Sequence, residues 1–415
     1  MSRNGKPSKV RDEEQKSLWA ALDEWWFGYG SPEALGLFRI AMAFLAFVSL
    51  SMVLIDFHAW YTENGFVPLI ASRRFNGDFL RFDPLGLVAH PWVTLAFYLL
   101  VMAAALLTCV GLWTRISSIV LALGMIALHH RNLMILHSGD TLMRLCLVYL
   151  AVAPSGAACS LDRVIRIWRG LETPAPRLIS LWGQRLVQFQ VAVLYVTTVW
   201  HKWRGTYWRD GTATWYPSQL SEFDRFWVPP FVESETMIKV STYSTLIVEL
   251  ALGTLVFYRP LRKWVLLAGL AMHAFIEWRY NIPLFQYVMV STYICFFEGH
   301  EVRAWARRVG NYLRRLRLSV HLPAGQRVRP APAGAFEAMD PLDLVQYEAG
   351  SGDWHGTSPS GRRVNPFFGS WIRSVGAFPI GLVPGLWPRL LRGALEDAPT
   401  QPAKPQKKPA KGAKR

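Results

Sequence analysis

Three stretches of this 415-residue chain place ionisable side chains in or beside otherwise apolar sequence. If the surroundings are lipid, each such charge costs about 2.5–3.5 kcal/mol at a helix centre, so it needs a partner, water or a task. The stretch VWHKWRGTYWRDGTATWY, residues 199–216, sets His201 and Lys202 at the end of an apolar run, among Trp200, Trp203 and Trp208 and shortly before Asp210. A lysine crowded by rings loses solvation and becomes competent as a base. A lysine that extends its ammonium to water satisfies the same spacing. The stretch GLAMHAFIEWRYNIPLFQYVMV, residues 269–290, puts His273 one helical turn before Glu277, with Gln286 and Tyr287 following on the next segment. A carboxylate at that offset fixes the tautomer and orientation of an imidazole. The candidate catalytic set is therefore Lys202 as base, His273 as electrophilic or proton-relay partner and Glu277 as its orienter. The plain alternative for His273 is a core histidine satisfied by a neighbouring helix.

The third stretch is HHRNLMILHSGDTLMR, residues 129–144. Asp140 opens a helix there and can cap its free N–H groups. It also lies one turn before Arg144, which suits an ion pair. The functional reading makes Arg131, Asp140 and Arg144, with His201, Trp208, Asp210 and Tyr287, the walls of an outward-facing cavity. His129, His130, His137 and Asp140 repeat no familiar ligand spacing, so no metal is assigned.

These residues have to be held by helices. Apolar residues make up 52% of the chain and charged residues 18%, against about 25% charge in average soluble domains. Mean hydropathy is +0.18. Eight apolar segments lie near 34–56, 92–113, 115–130, 140–158, 184–201, 237–257, 261–279 and 283–298, each read as a membrane span. A bilayer core needs about 20 helical residues, and several segments are shorter. The fold expected is an all-α integral membrane protein of about eight transmembrane helices. Residues 1–33 form a cytoplasmic N-terminal segment, without an apolar leader, whose residues 17–28 make an amphipathic interfacial helix with Leu18, Leu22, Trp25 and Trp26 on one face. Residues 34–300 form the membrane domain. Arg39 near the start of the first span is read as snorkelling or pairing between helices. The four cysteines are read as reduced packing thiols.

Net charge is +16, and residues 301–415 carry +11 of it, with 19 Lys+Arg against 8 Asp+Glu. That segment is rich in Pro, Ala and Gly and reads as a mostly disordered basic tail. Within it, 375–395 is apolar but broken by Pro379, Pro384 and Pro388, an interfacial segment. The partners implied are the lipid bilayer and, through the tail, anionic headgroups. No folded basic domain suggests nucleic acid. Arginines recur in alternate connections (Arg115, Arg163 to Arg177, Arg259 to Lys263) and in the exit segment from Arg303. An even span count then leaves both termini cytoplasmic, by the excess of positive charge inside.

The stretches ALGLFRIAMAFLAFV, RNLMILHSGDTLMRL with APSGAACSLDR, LYVTTVWHKWRGTYWRDGTA and MHAFIEWRYNIPLFQYVMV occur in that order over about residues 34–300. As an ordered set they resemble the horizontally transferred transmembrane (HTTM) domain, the membrane core shared with vitamin K-dependent gamma-carboxylases. The resemblance implies that Lys202 is the base that starts oxygenation of a reduced quinone, such as menaquinol or vitamin K hydroquinone. Trp208 and Gly211 follow the same pattern. A family histidine followed by a Phe-x-Tyr-Val-Met run matches His273 with Phe285, Tyr287, Val288 and Met289. Two pairs depart from the carboxylases: Arg131-Asn132 lacks their histidine, and His201-Lys202 replaces their lysine pair. Their lumenal β-rich domain is replaced here by the basic tail, so the resemblance implies the quinol half of the chemistry more strongly than carboxylation of a propeptide-bearing substrate. Two further function classes are open: a proton-coupled or export-assisting protein with an Asp, His and Lys relay, and a scaffold whose polar residues join helices.

Overall fold

Apolar runs free of internal proline, bounded by Gly, Pro or polar residues, become helices throughout the first three hundred residues. The computed structural model describes residues 18–76, 82–87, 90–175, 177–314, 317–352, 355–358, 360–364 and 393–397. By internal contacts the chain divides into two units, residues 1–162 with 176–302 and residues 163–175 with 303–415. In the first unit, helix α1 is Leu18–Phe27, followed by α2 (Glu33–Leu54), α3 (Pro91–Val110), α4 (Thr114–Arg131) and α5 (Ser138–Val152). Then come α6 (Trp182–Arg204), α7 (Glu235–Gly253), α8 (Arg259–Arg279) and α9 (Phe285–Thr292), the last continued by a 3-10 turn to Phe296. Helices α2 to α9 coincide with the eight apolar segments expected. Their ends are set locally. Proline occupies the first turn of α3 and α8, where its missing N–H has no cost. Ser234 caps α7 by accepting from Met237 N.

Among the described residues two helices, Glu33–Leu54 and Pro91–Val110, are long and apolar enough to cross a membrane, with mean hydropathies of 2.2 and 2.4. The others are shorter or more polar: α5 has 15 residues, and α6, α7 and α8 carry the ionisable side chains discussed below. Consecutive helices pack side by side from α2 through α5 and from α6 through α8, while α9 touches α2, α5, α6 and α8. One hydrophobic core runs through all of them, with Phe38, Met42, Tyr98, Met125, Leu147, Tyr195 and Val288 at its centre. Helix α1 leaves Leu18 and Trp19 exposed and packs Trp25 against Phe257 and Trp26 against Phe189.

Arg39 is fully buried; it does not snorkel but pairs between helices. Its guanidinium donates to the carbonyls of Ser155, Ala158 and Cys159, at 2.7, 3.3 and 2.5 Å, closing the turn after α5. The reading of four packing thiols also needs correction. Cys146 and Cys295 are buried, but Cys159 is exposed, in a turn with φ of 51°.

The second unit departs from the sequence reading of a mostly disordered tail. Helix α10, Gly299–Tyr312, leads into it, and strands β1 (Leu318–Pro323), β2 (Gln326–Val328), β3 (Val345–Gly352), β4 (His355–Thr357), β5 (Arg363–Val364) and β6 (Leu395–Asp397) follow, with α11 (Pro330–Met339) between β2 and β3. A four-stranded sheet runs β3-β1-β4-β5, and β2 pairs with β6. Strand β1 alternates buried and half-buried residues, a period-2 pattern hidden by the surrounding low-complexity composition. Val164, Ile167, Phe336 and Met339 form its core. Burial pushes the Glu172 carboxyl up, but hydrogen bonds from Arg166 and Arg163, at 2.8 and 3.0 Å, more than offset it and hold it below the usual carboxylate range. The expected interfacial segment 375–395 and the basic end of the chain lie almost wholly outside the described residues.

Candidate active site

Helix α6 ends where Gly205 breaks it, and its last turn carries Lys202. The Nζ of Lys202 lies 2.5 Å from Oε1 of Glu249 on α7 and 4.6 Å from the ring centre of Trp208. The lysine expected among aromatic rings alone therefore has an acid as its first partner. Glu249 is buried, and its charge is answered by the lysine on the facing helix. Ammonium, carboxylate and indole together form a cation–π and ion-pair cluster in low dielectric.

His273, on α8, is buried and bonded at both ring nitrogens. Nε2 meets the Tyr195 hydroxyl at 2.9 Å, and Nδ1 meets Oε1 of Gln286 on α9. Tyr195 in turn bonds Tyr293 at 2.9 Å. The close approach of α8 to α9 depends on Gly269, where a Cβ would come within 2.7 Å of the Tyr293 hydroxyl.

Glu277 does not orient His273. Although it shares the helix face at i+4, both ring nitrogens are already taken, and Glu277 pairs with Arg225 in the α6–α7 connection. Gln286 does the orienting instead. An amide carbonyl accepts only, so it holds the proton on Nδ1 and leaves Nε2 as the acceptor of the Tyr195 hydroxyl.

Lys202 and His273, which the sequence could not bring together, line one cavity of about 820 Å³ with Trp208, Tyr195, Glu249 and Gln286. Its remaining wall is largely apolar, including Leu194, Val248, Met272, Ile276 and Met289. The α6–α7 connection, residues 205–234, lines one end of the cavity and is strapped to the end of α8. Arg279, buried at its root, reaches Asp224 at 2.7 Å, Glu233 at 3.0 Å and the Ser218 carbonyl at 3.0 Å. Asn281 N donates to Phe223 O, and the Tyr280 hydroxyl donates to Thr214 O. Gly211, at φ of 82°, turns the connection over Tyr243 and Lys239.

The other expected cavity residues are elsewhere. His201, next to Lys202, is rotated out and exposed. Asp210 is exposed and closes its own turn by accepting from Thr212 N and Oγ1. Tyr287 is half-exposed on the outer face of α9. Asp140 and His137 form the capping box of α5: Asp140 accepts from His137 N, and His137 Nδ1 accepts from Gly139 N. Arg144 donates to Thr141. Arg131 is buried but serves the connection between α2 and α3, donating to Val67 O and lying 3.7 Å from Glu63. None of the six expected residues, nor His137, lines the cavity; Trp208 does.

Glu249, Tyr195, Tyr293 and Arg279 were missed from the sequence. The available signal for Glu249 was its isolation, as the single acid within the apolar run 237–257. Residues 30–300 match the sequence model of the HTTM domain family. Comparison with curated proteins and with solved structures yields no match.

Proposed function

Because the chain belongs to the HTTM domain family of membrane proteins, we propose that it is a multi-pass carboxylase-like membrane enzyme with α2 to α9 as its spans and Lys202 as its base. The observation that carries the reading is the convergence of Lys202, Glu249, His273 and Gln286 on one cavity. Its outer surface supports the spans. Phe44, Leu99, Leu123, Phe189, Ile247 and Leu267 are exposed on six different helices, an extent of apolar surface that suits lipid. The placement of basic residues supports the orientation. Arg115, Arg259, Arg262 and Lys263 stand at connections at the end opposite Lys202. An excess of Lys and Arg in short connections belongs in the cytoplasm, and both termini go with it.

The residues fit a reduced quinone. Glu249 Oε2 and Gln286 Nε2 are buried with no hydrogen-bond partner among the described residues, one acceptor and one donor at the polar end of an apolar cavity. Gln286 would hold a ring oxygen, Glu249 a hydroxyl, and Leu194, Met272 and Ile276 the hydrocarbon tail. Such a quinol, when bound, supplies an oxidisable, weakly acidic hydroxyl. Glu249 takes a proton from the Lys202 ammonium across their contact, and the free amine is then the base that removes the next proton. His273, fixed at both nitrogens, holds the Tyr195 hydroxyl and the Gln286 amide in place, and the Gln286 Nε2 donor, otherwise unpartnered among the described residues, would meet developing negative charge on a ring oxygen. A transmembrane proton relay is less well supported, since the hydrogen-bonded chain inward from His273 ends at Tyr293.

The experiment is oxidation of added menaquinol by dissolved oxygen as electron acceptor in the presence of the reconstituted protein, together with extraction of the purified protein for bound quinone. Bound quinone is expected in the wild type and should be lost in Gln286→Leu. A Lys202→Ala protein that inserts normally and oxidises menaquinol as the wild type does would rule out the base assignment.

A further inference from the structure

We propose that the C-terminal unit carries a binding site for a phosphate group on a ligand larger than phosphate itself, a function independent of the cavity chemistry above. The site is a cleft of about 730 Å³ beside the end of α10 and the sheet. Strand geometry explains its donors. Ser319 is the second residue of β1 and Arg317 immediately precedes the strand; both line the cleft, while Leu318 and Val320 turn into the core on the other face. Ser319 stands opposite Thr357 in the antiparallel β1–β4 register, which brings the two hydroxyls to one face. Ser358 follows Thr357, and Asn311 and Arg314 come from the α10 end, so that two guanidinium groups, one amide and three hydroxyls line the cleft. No carboxylate lines it among the described residues.

That set is rich in donors: the nearby acid, Asp343, meets only Arg317, the Thr357 and Ser358 hydroxyls also touch His321 and Ser360, and the two guanidinium forks suit a tetrahedral acceptor-only dianion. One arginine is held in place and the other is available. Arg317 donates to Asn311 Oδ1 and to the Asp343 carbonyl, each at 3.2 Å, and lies 3.5 Å from the Asp343 carboxylate at the edge. Arg314 is exposed and has no side-chain partner among the described residues, so its fork can close on the ligand. The volume lies within the roughly 300–1,000 Å³ of small-molecule pockets, so a phosphate fills only part of it. Tyr312, 81% exposed at the rim, offers a ring face to the remainder. Two sources share this chemistry: the headgroup of an anionic phospholipid and a soluble phosphorylated metabolite.

The test uses the full-length protein in nanodiscs of phosphatidylcholine, titrated with inorganic phosphate and followed by phosphorus NMR line broadening, with sodium chloride at matched ionic strength as the reference. Saturable phosphate binding is expected, weakened at least about tenfold by Arg314→Gln and by Thr357→Val and unchanged by Arg74→Gln, an exposed arginine of the other unit. Phosphate that behaves like chloride, or an Arg314→Gln protein that binds as the wild type does, would overturn the site. Repeating the titration with phosphatidic acid in the discs identifies the source. Loss of phosphate binding there assigns the site to a lipid headgroup; undiminished binding assigns it to a soluble ligand. Because neither readout involves quinol or Lys202, failure here leaves the cavity reading untouched, and the reverse holds as well.

Discussion

The Lys202–Glu249 pair gives the most exacting test of the site. Removing one partner of a fully buried ion pair costs about 3–5 kcal/mol, because the other charge stays buried alone. Here the Lys202 side chain keeps 22% of its exposure, facing the cavity, against 10% for Glu249. Loss of the carboxylate also leaves the Trp208 ring in place, a contact worth about 0.5–2 kcal/mol. Glu249→Leu should therefore cost less than a dry pair, about 2–3 kcal/mol. Lys202→Met should cost at least as much, since the carboxylate left behind has less access to water. Combining them removes both charges and fills the space with apolar volume, so the double variant should lie within about 1 kcal/mol of the wild type. The assay is equilibrium unfolding in mixed micelles, followed by the far-ultraviolet circular dichroism of the helices. A double variant whose loss equals the sum of the two single losses means the groups do not interact. Single losses under about 0.5 kcal/mol mean that water reaches both charges. Either result would refute the sheltered pair on which the base assignment rests.

Gln286→Leu should cost about 1–3 kcal/mol by leaving His273 Nδ1 unpaired, and nitrogen NMR of labelled histidine should show His273 passing from one tautomer to a mixture. Arg279→Ala should release the 205–234 connection from Asp224, Glu233 and Ser218, so that chymotrypsin cuts near Phe223 and Trp227 at least about tenfold faster while helix content stays constant. In the second unit, Glu172 titrates below its unfolded value. It therefore contributes stability above roughly pH 4.3, and that stability is lost as pH falls through its lower folded value. Glu172→Gln should remove this part of the acid unfolding limb and leave the neutral limb displaced but parallel.

Helix positions were legible because they depend on local facts: unbroken apolar runs, Pro91 and Pro260 in first turns, Gly205 after a last turn. The second unit was not, because β1 alternates over only six residues and sits in sequence whose Pro, Ala and Gly content reads as disorder. For Arg39, pairing between helices was legible but its partners were not: a helix end offers free carbonyls, and sequence does not show which helix end lies beside which side chain.

Within the site, helical spacing found the residues but chose the wrong partners. The i+4 offset makes Glu277 a neighbour of His273 on the helix surface, yet the two side chains diverge. His273 turns into the core, while Glu277 turns toward a connection that presents Arg225. The partner that orients the ring comes from α9, thirteen residues on, where no periodicity links them. Glu249 could have been inferred from electrostatics alone. A lysine placed at membrane depth has to be neutral, hydrated or paired, and if paired, an acid must lie within an adjacent span. Between residues 237 and 257 there is one such acid. Charge balance in a low-dielectric interior therefore carries contact information that spacing does not, and it extends across helices distant in sequence. By the same reasoning, Glu277 needed a cation, and Arg225 in the facing connection is the one it found.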